Sequence, residues 1–132
     1  MAKGQTFLNE PDETSRGEIR HLNVVITDPD SENEVLVVPV CTYKEMNGRP
    51  FPGMDTSCLL PAGCHPFVKF KSYINYGKAK SMNLIAIFNG LQKGLLIRQQ
   101  DFAAQYVQDM QRGAEESLYI PGKFKRFFDY FL

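Results

Sequence analysis

The chain has 132 residues, of which 43% are hydrophobic and 12% aromatic. This length and composition exclude a disordered chain and indicate one domain with a hydrophobic core. Fifteen basic and fifteen acidic residues cancel, which excludes an overall basic field, so a nucleic-acid or membrane partner would need a local patch.

The first 17 residues predict an arm. Phe7 and Leu8 are their only large apolar side chains, and the acidic stretch from Asn9 to Ser15 contains Pro11. We expect residues 1–17 to be flexible or to lie as a loop over the rest of the domain. The N-terminus is polar and no segment approaches the roughly 18 apolar residues of a membrane span. These features predict a cytoplasmic protein without a membrane partner.

Residues 18–98 predict a small barrel. In His21–Thr27, the residues Leu22, Val24 and Ile26 alternate with Asn23, Val25 and Thr27, which predicts a strand with one face in the core and one partly covered. Glu34–Thr42 is apolar on both faces and therefore predicts a central strand, although Pro39 requires an edge or a bulge. Three shorter strands are expected after the loop Tyr43–Met54, at Thr56–Leu60, Phe67–Phe70 and Ser72–Tyr76.

The sequence Asn89-Gly90 lies between the apolar runs Met82–Phe88 and Leu91–Ile97. Asn-Gly in this setting predicts a β-hairpin, although a helical turn over Met82–Phe88 also fits.

Residues 99–132 predict two helices. Apolar residues recur at helical spacing after Asp101, a good N-cap, and Gly113 marks the expected end. A second helix is expected from Pro121, with four phenylalanines on one face, Phe124, Phe127, Phe128 and Phe131. We expect this face to be buried against the barrel or a dimer partner, and the alternatives are a membrane-surface helix and a partner-binding helix. The predicted fold is therefore mainly β (β+α), a single domain with five to six antiparallel strands followed by two helices.

The dipeptide Arg20-His21 enters the first strong strand, and Thr42 ends the second. An arginine can bind phosphate, a histidine exchanges a proton near neutral pH, and a hydroxyl at a strand end can orient a phosphate. The alternative interpretation is a solvated arginine, a half-buried histidine and a hydroxyl bonded to the next turn.

A second group of polar residues lies in the turn-rich segment Asp55–Phe67, which contains Asp55, Ser57 and His65. These residues are candidates for substrate binding and, for His65, for catalysis. Cys64 and His65 are adjacent and no C-x-x-C pair exists, so we expect no metal and no cofactor. The three cysteines, Cys41, Cys58 and Cys64, are expected to be free thiols in a reducing compartment.

A basic and aromatic cluster follows, in which Lys69, Lys71, Lys78 and Lys80 are interleaved with Phe70, Tyr73 and Tyr76. Alternation along a strand places Lys69 and Lys71 on one face. This pattern is that of a strip for single-stranded nucleic acid, and equally that of one solvated face of a sheet.

A family resemblance rests on the strand Arg20–Ile26 and on Val35–Thr42, which ends in Pro-x-x-Thr. This arrangement resembles the PemK/Kid/MazF family of toxin–antitoxin proteins over residues 17–80. The segment Asp55–Phe67 looks like an uncharacterised bacterial or phage branch.

The resemblance implies a cytoplasmic, usually dimeric SH3-like barrel that cuts RNA without metal, with an antitoxin-like protein as a further partner. By resemblance, Arg20 takes the place of the phosphate-stabilising arginine and Thr42 that of the threonine closing the second strand. His21 or His65 would serve as base or acid for attack by the ribose 2′-hydroxyl. The alternative function is a non-catalytic barrel that binds protein or nucleic acid.

Overall fold

The computed structural model describes residues 3–9, 12–14 and 17–132. The fold is mainly antiparallel β, built on a seven-stranded sheet and joined by helices. The strands are β1 (Thr6–Leu8), β2 (Asp12–Thr14), β3 (Gly17–Ile19), β4 (Leu22–Val25), β5 (Glu34–Thr42), β6 (Glu45–Met46), β7 (Arg49–Pro50), β8 (Leu59–Leu60), β9 (Ser72–Ile74), β10 (Lys80–Asn83) and β11 (Ile97–Gln99). The α-helices are α1 (Leu84–Gln92) and α2 (Ala104–Glu116), and two 3-10 helices span Tyr76–Lys78 and Gly122–Tyr130.

The main sheet has the order β11-β1-β4-β5-β9-β8, and β10 also pairs with β5. Strands β2 and β3 form a separate hairpin, as do β6 and β7. Among the described strands, β11 and β8 end the pairing path and do not pair with each other. Closure into an SH3-like barrel therefore stays a prediction.

The longest strand, β5, is central as predicted, and it accommodates Pro39 without an edge. Pairing with β10 ends at Val37, and pairing with β9 begins at Val40. Pro39 lies in the gap between these two partners, where its carbonyl accepts a hydrogen bond from the Asn75 N–H. Since the N and C=O of a strand residue point to the same side, the missing N–H falls where no ladder partner requires it.

Two hydrophobic cores lie on the two faces of β4 and β5. Leu22, Val24, Leu36 and Val38 belong to the main core, which α2 and the C-terminal 3-10 helix also enter. Val25, Val35 and Val37 belong to a smaller core with Phe7, covered by Ile87 of α1. This alternation explains why β5 is apolar on both faces.

The predicted phenylalanine stripe lies on the C-terminal segment that packs into the main core. Phe124, Phe127 and Phe131 are buried, and the half-buried Phe128 packs against them. Its burial is therefore confirmed, although the segment is a 3-10 helix. None of the helices in the described part of the chain is long and apolar enough to cross a membrane.

The predicted hairpin at Asn89-Gly90 is wrong, because both residues lie in α1. The side chain of Asn83 caps this helix by accepting a hydrogen bond from the Ile85 N–H. Ile87 and Gly90 are buried beneath it, and a Cβ added at Gly90 would lie 2.8 Å from the Leu96 side chain. Tertiary packing thus overrides the local turn signal.

The predicted strand Phe67–Phe70 is also wrong, because this segment is irregular. The Gly63 N–H donates to the Val68 carbonyl and the Val68 N–H donates to the His65 carbonyl, so a compact turn uses these groups locally. Thr56–Leu60 and Ser72–Tyr76 are strands only over Leu59–Leu60 and Ser72–Ile74.

The predicted arm at residues 1–17 is wrong for Thr6–Leu8, which forms β1 between β4 and β11. Phe7 is 1% exposed in the smaller core. Residues 1, 2, 10, 11, 15 and 16 of this segment lie outside the described residues.

Helix α2 differs from its predicted bounds at both ends. It begins after Ala103, and Asp101 instead pairs with Arg98 at 3.2 Å. It continues through Gly113 to Glu116.

Candidate nucleic-acid interface

Three of the predicted site residues, Arg20, His21 and Thr42, line one groove with a volume of about 670 Å³. The register of β4 and β5 explains this meeting, because Leu22 lies opposite Val40 in an antiparallel pair. Residues just before β4 therefore lie beside the end of β5. The sequence predicted both strands, and their pairing brings the three side chains together.

The rest of this groove combines an apolar floor with basic and aromatic side chains. Leu22 and Val40 line it together with Lys44, Phe51, Phe67 and Tyr73. An adjoining depression of about 270 Å³ shares Thr42 and Phe67 with the groove and adds Lys69 and Phe70. Among the described residues that line the two, none is an aspartate or a glutamate. We call this combined surface the basic groove.

The aromatic side chains of the basic groove are accessible. Phe51 is 48% exposed, Phe67 42% and Phe70 70%. Beside the groove, the Lys71 ammonium lies 4.1 Å from the centre of the Tyr43 ring. Lys71 is thus held against an aromatic ring by a cation–π contact at the surface.

Asn9, for which the sequence predicts no role, anchors the Arg20-His21 corner. The Arg20 Nη1 donates hydrogen bonds to two carbonyls, that of Asn9 at 3.1 Å and that of Leu95 at 3.4 Å. The Asn9 Oδ1 accepts a 2.8 Å hydrogen bond from the His21 N–H. The end of β1 therefore fixes the backbone of this corner, and no local sequence signal links residue 9 to residue 20.

Asp55 and Ser57 do not belong to the groove lining. Asp55 is 4% exposed, and its Oδ1 accepts hydrogen bonds from the Ser57 N–H and hydroxyl at 2.9 and 2.6 Å. Its Oδ2 accepts from the Ser117 hydroxyl at 2.6 Å. This carboxylate ties the loop before β8 to the end of α2, so the predicted substrate-binding role for Asp55 and Ser57 gains no support.

His65 is likewise a structural residue. It is 2% exposed and its ring stacks on Phe102 with centres 4.6 Å apart. The Phe67 N–H donates to Nδ1 at 3.0 Å, which assigns the proton to Nε2, 2.5 Å from the Gln100 carbonyl. Both ring nitrogens are used inside the protein, so the predicted catalytic role of His65 is not available to it in this arrangement.

The three cysteines are free thiols. Burial raises the pKa of Cys58 to about 11, although a hydrogen bond with Tyr76 opposes this shift. Burial also raises the pKa of Cys41, which lines the groove, and of Cys64. A thiol with a raised pKa is a poor nucleophile at neutral pH. In the described part of the chain, no three His, Cys, Asp or Glu side chains are grouped so as to hold a metal ion.

No protein-family model matches the chain, and searches of curated proteins and of solved structures find no similar one.

Proposed function

We propose that the basic groove binds single-stranded RNA. The observation that carries this proposal is the lining itself, in which Arg20, Lys44 and Lys69 accompany exposed aromatic rings, with no described acidic residue. The chain as a whole has no net charge. A local concentration of positive charge on a neutral protein supports a phosphate-bearing ligand there.

Single strands suit this surface better than duplexes do. Unpaired bases stack on exposed aromatic rings, whereas the bases of a duplex are already stacked on one another. Lysines and arginines beside the rings neutralise the backbone between stacked bases. The exposed hydroxyl-bearing residue Thr42 offers a hydrogen-bond partner for the ribose 2′-hydroxyl, which favours RNA over DNA.

A second candidate function is metal-independent RNA cleavage, favoured by the shared position of Arg20, His21 and Thr42 in one groove. His21 would take the proton of a ribose 2′-hydroxyl, whose oxygen then bonds to the adjacent phosphorus. The bond from phosphorus to the 5′-oxygen breaks, and that oxygen takes a proton from water. Arg20 would stabilise the charge on the phosphoryl oxygens. The products are a 2′,3′-cyclic phosphate and a 5′-hydroxyl.

The binding proposal is tested by fluorescence anisotropy with labelled RNA octamers over a range of salt concentrations. Phe70→Ala should weaken binding by about 1–3 kcal/mol, the usual value of one base–aromatic stack. Lys69→Ala should weaken it for all sequences and reduce the salt slope by about 1.

Matched controls remove the same groups elsewhere on the surface. Tyr119→Ala and Lys93→Ala change exposed residues that are not among the groove lining. Equal affinity of all four variants would contradict the proposal. Equal affinity of the wild type for RNA and DNA octamers would remove the preference for RNA.

Cleavage is tested separately, by mass spectrometry of RNA incubated with the protein in excess chelator. Cyclic-phosphate ends made by the wild type and lost in His21→Asn would support the second candidate. Binding without such ends would eliminate cleavage and leave the binding proposal standing.

A further inference from the structure

A second cavity, of about 200 Å³, lies on the sheet face that carries the smaller core. Asn23, Pro39 and Cys41 alternate with the main-core residues Leu22, Val38 and Val40, which places them on the same face as Val25 and Val37. The cavity is lined by Asn9, His21, Asn23, Pro39, Cys41, Lys78 and Lys80. His21 and Cys41 also line the basic groove, so the two spaces share a wall.

Asn23 carries an unsatisfied acceptor inside the sheet. The residue is 1% exposed, and its Nδ2 donates to the His21 carbonyl at 3.1 Å. Its Oδ1 is the one buried side-chain polar atom with no hydrogen-bond partner in the described part of the chain. An acceptor left in this state costs about 1–3 kcal/mol, and an apolar residue in the centre of a sheet would avoid that cost. The cost is recovered if a ligand supplies a donor.

The charge around the cavity indicates that the ligand also carries an anionic group. Lys78 and Lys80 are exposed at its rim, and no described acidic residue lines it. The cavity is smaller than the roughly 300–1,000 Å³ of sites for drug-sized ligands. Its chemistry fits a small ring with an N–H donor, attached to an anionic group.

We propose that this cavity receives one nucleobase, whose N–H donates to the Asn23 Oδ1 while its phosphate lies at Lys78 and Lys80. This proposal rests on the proposed RNA binding, because the base would come from a strand in the basic groove by way of the wall that His21 and Cys41 share. The Asn23 Oδ1 has no partner, whereas one N–H of the Nδ2 already donates to the His21 carbonyl, so the proposed contact reads a donor on the base.

The first experiment titrates isotope-labelled protein with the four nucleoside 5′-monophosphates and follows the Asn23 side-chain amide by NMR. We expect a shift of this resonance with at least one of them. The tightest ligand is then compared with the derivative in which methyl groups replace its base N–H donors. Loss of this one hydrogen bond should weaken binding about tenfold.

Variants test the charged rim and the acceptor separately. Lys78→Gln/Lys80→Gln should weaken both the mononucleotide and an RNA octamer about tenfold or more. Lys93→Gln/Lys125→Gln makes the same change of charge at exposed positions that do not line the cavity and should change neither. Asn23→Leu should lose the preference for the unmethylated base. If that variant does not fold, the methylated ligand and the lysine pair still decide the question.

The outcomes separate the two proposals. Octamer binding that is unaffected by Lys78→Gln/Lys80→Gln and by base methylation overturns the base cavity and leaves the groove. Mononucleotide binding without octamer binding overturns RNA binding by the groove and, with it, the supply of the base from a bound strand, and it supports the cavity only as a site for a free nucleotide. Binding of neither ligand overturns both.

Discussion

Two polar clusters of this protein look alike in sequence and differ in structure. The corner Arg20-His21 with Thr42 and the segment from Asp55 to His65 both combine ionisable or hydroxyl side chains with turns or strand ends. In the first cluster the side chains line an open groove. In the second, Asp55 and His65 are almost wholly buried, and their polar atoms are bonded to protein groups.

The difference shows that residue type alone does not identify a candidate site. What distinguishes the two clusters is whether their polar atoms are hydrogen-bonded inside the protein or accessible to a ligand. The Asp55 carboxylate accepts three hydrogen bonds and holds the end of α2 to the loop before β8. Buried polar groups with satisfied partners contribute to stability and have little capacity left for a ligand. Exposed lysines and aromatic rings contribute little to stability and retain that capacity.

The largest expected effect is that of Asp55→Ala. It leaves the donors of Ser57 and Ser117 without their acceptor, and hydrogen bonds to a charged group are each worth about 1.5–3 kcal/mol. We expect the free energy of unfolding in urea to fall by about 3 kcal/mol or more. RNA affinity, measured per folded molecule, should stay unchanged. If Asp55→Ala had normal stability but did not bind RNA, Asp55 would instead have the substrate-binding role that the sequence predicted.

Gly113→Ala should destabilise the protein next most strongly, although alanine favours helices. A Cβ at Gly113 would lie 2.9 Å from the Cys58 Cβ and 3.1 Å from the Ser57 carbonyl, and it would also meet the Tyr76 hydroxyl. Overpacking of this kind costs about 1–3 kcal/mol. In thermal melts, Gly122→Ala is the control, since a Cβ there meets nothing within 4 Å. If Gly113→Ala and Gly122→Ala had equal melting temperatures, α2 would not pack closely against Ser57, Cys58 and Tyr76 at Gly113.

Cys58 should make the free energy of unfolding depend on pH, by an amount comparable to the effect of Gly113→Ala or smaller. Burial raises its pKa from 9.0 to about 11 in the folded state. The stability that this shift represents is fully present below pH 9 and is lost as the pH rises towards 11, because the unfolded thiol ionises first. A shift of this size corresponds to about 2–3 kcal/mol.

The measurement compares urea unfolding of the wild type and Cys58→Ala between pH 8 and 11. The difference between the two free energies should shrink with rising pH. A constant difference would mean that the thiol is not protected from water.

The smallest expected effects on stability are those of Lys69→Ala and Phe70→Ala in the basic groove. Both side chains are exposed, so each change should alter the free energy of unfolding by no more than about 0.5 kcal/mol. The same variants should show the largest losses of RNA affinity, in contrast to Asp55→Ala. A loss of stability that accounts for the loss of binding would erase the distinction between the two clusters.

The sequence by itself determined the mainly β class, the central strand Glu34–Thr42 and the buried phenylalanines of the last segment. These features follow from apolar periodicity, which is strong over long segments and around large aromatic side chains. The same periodicity identified the α2 region, although it missed the ends of that helix. It also identified Arg20, His21 and Thr42 as candidates, because they stand at the boundaries of strong strands.

Only the tertiary structure decided which candidates meet. Strand register places Arg20 beside Thr42, and Asn9 fixes that corner from a part of the chain that resembled an arm. Asp55 is hydrogen-bonded to Ser117 and His65 to Gln100. These long-range hydrogen bonds hold both side chains inside the protein, away from the basic groove. Contacts across 35 to 62 residues leave no local pattern in the chain. The helix over Asn89-Gly90 formed for the same reason, since burial against the sheet outweighed a turn signal only two residues long.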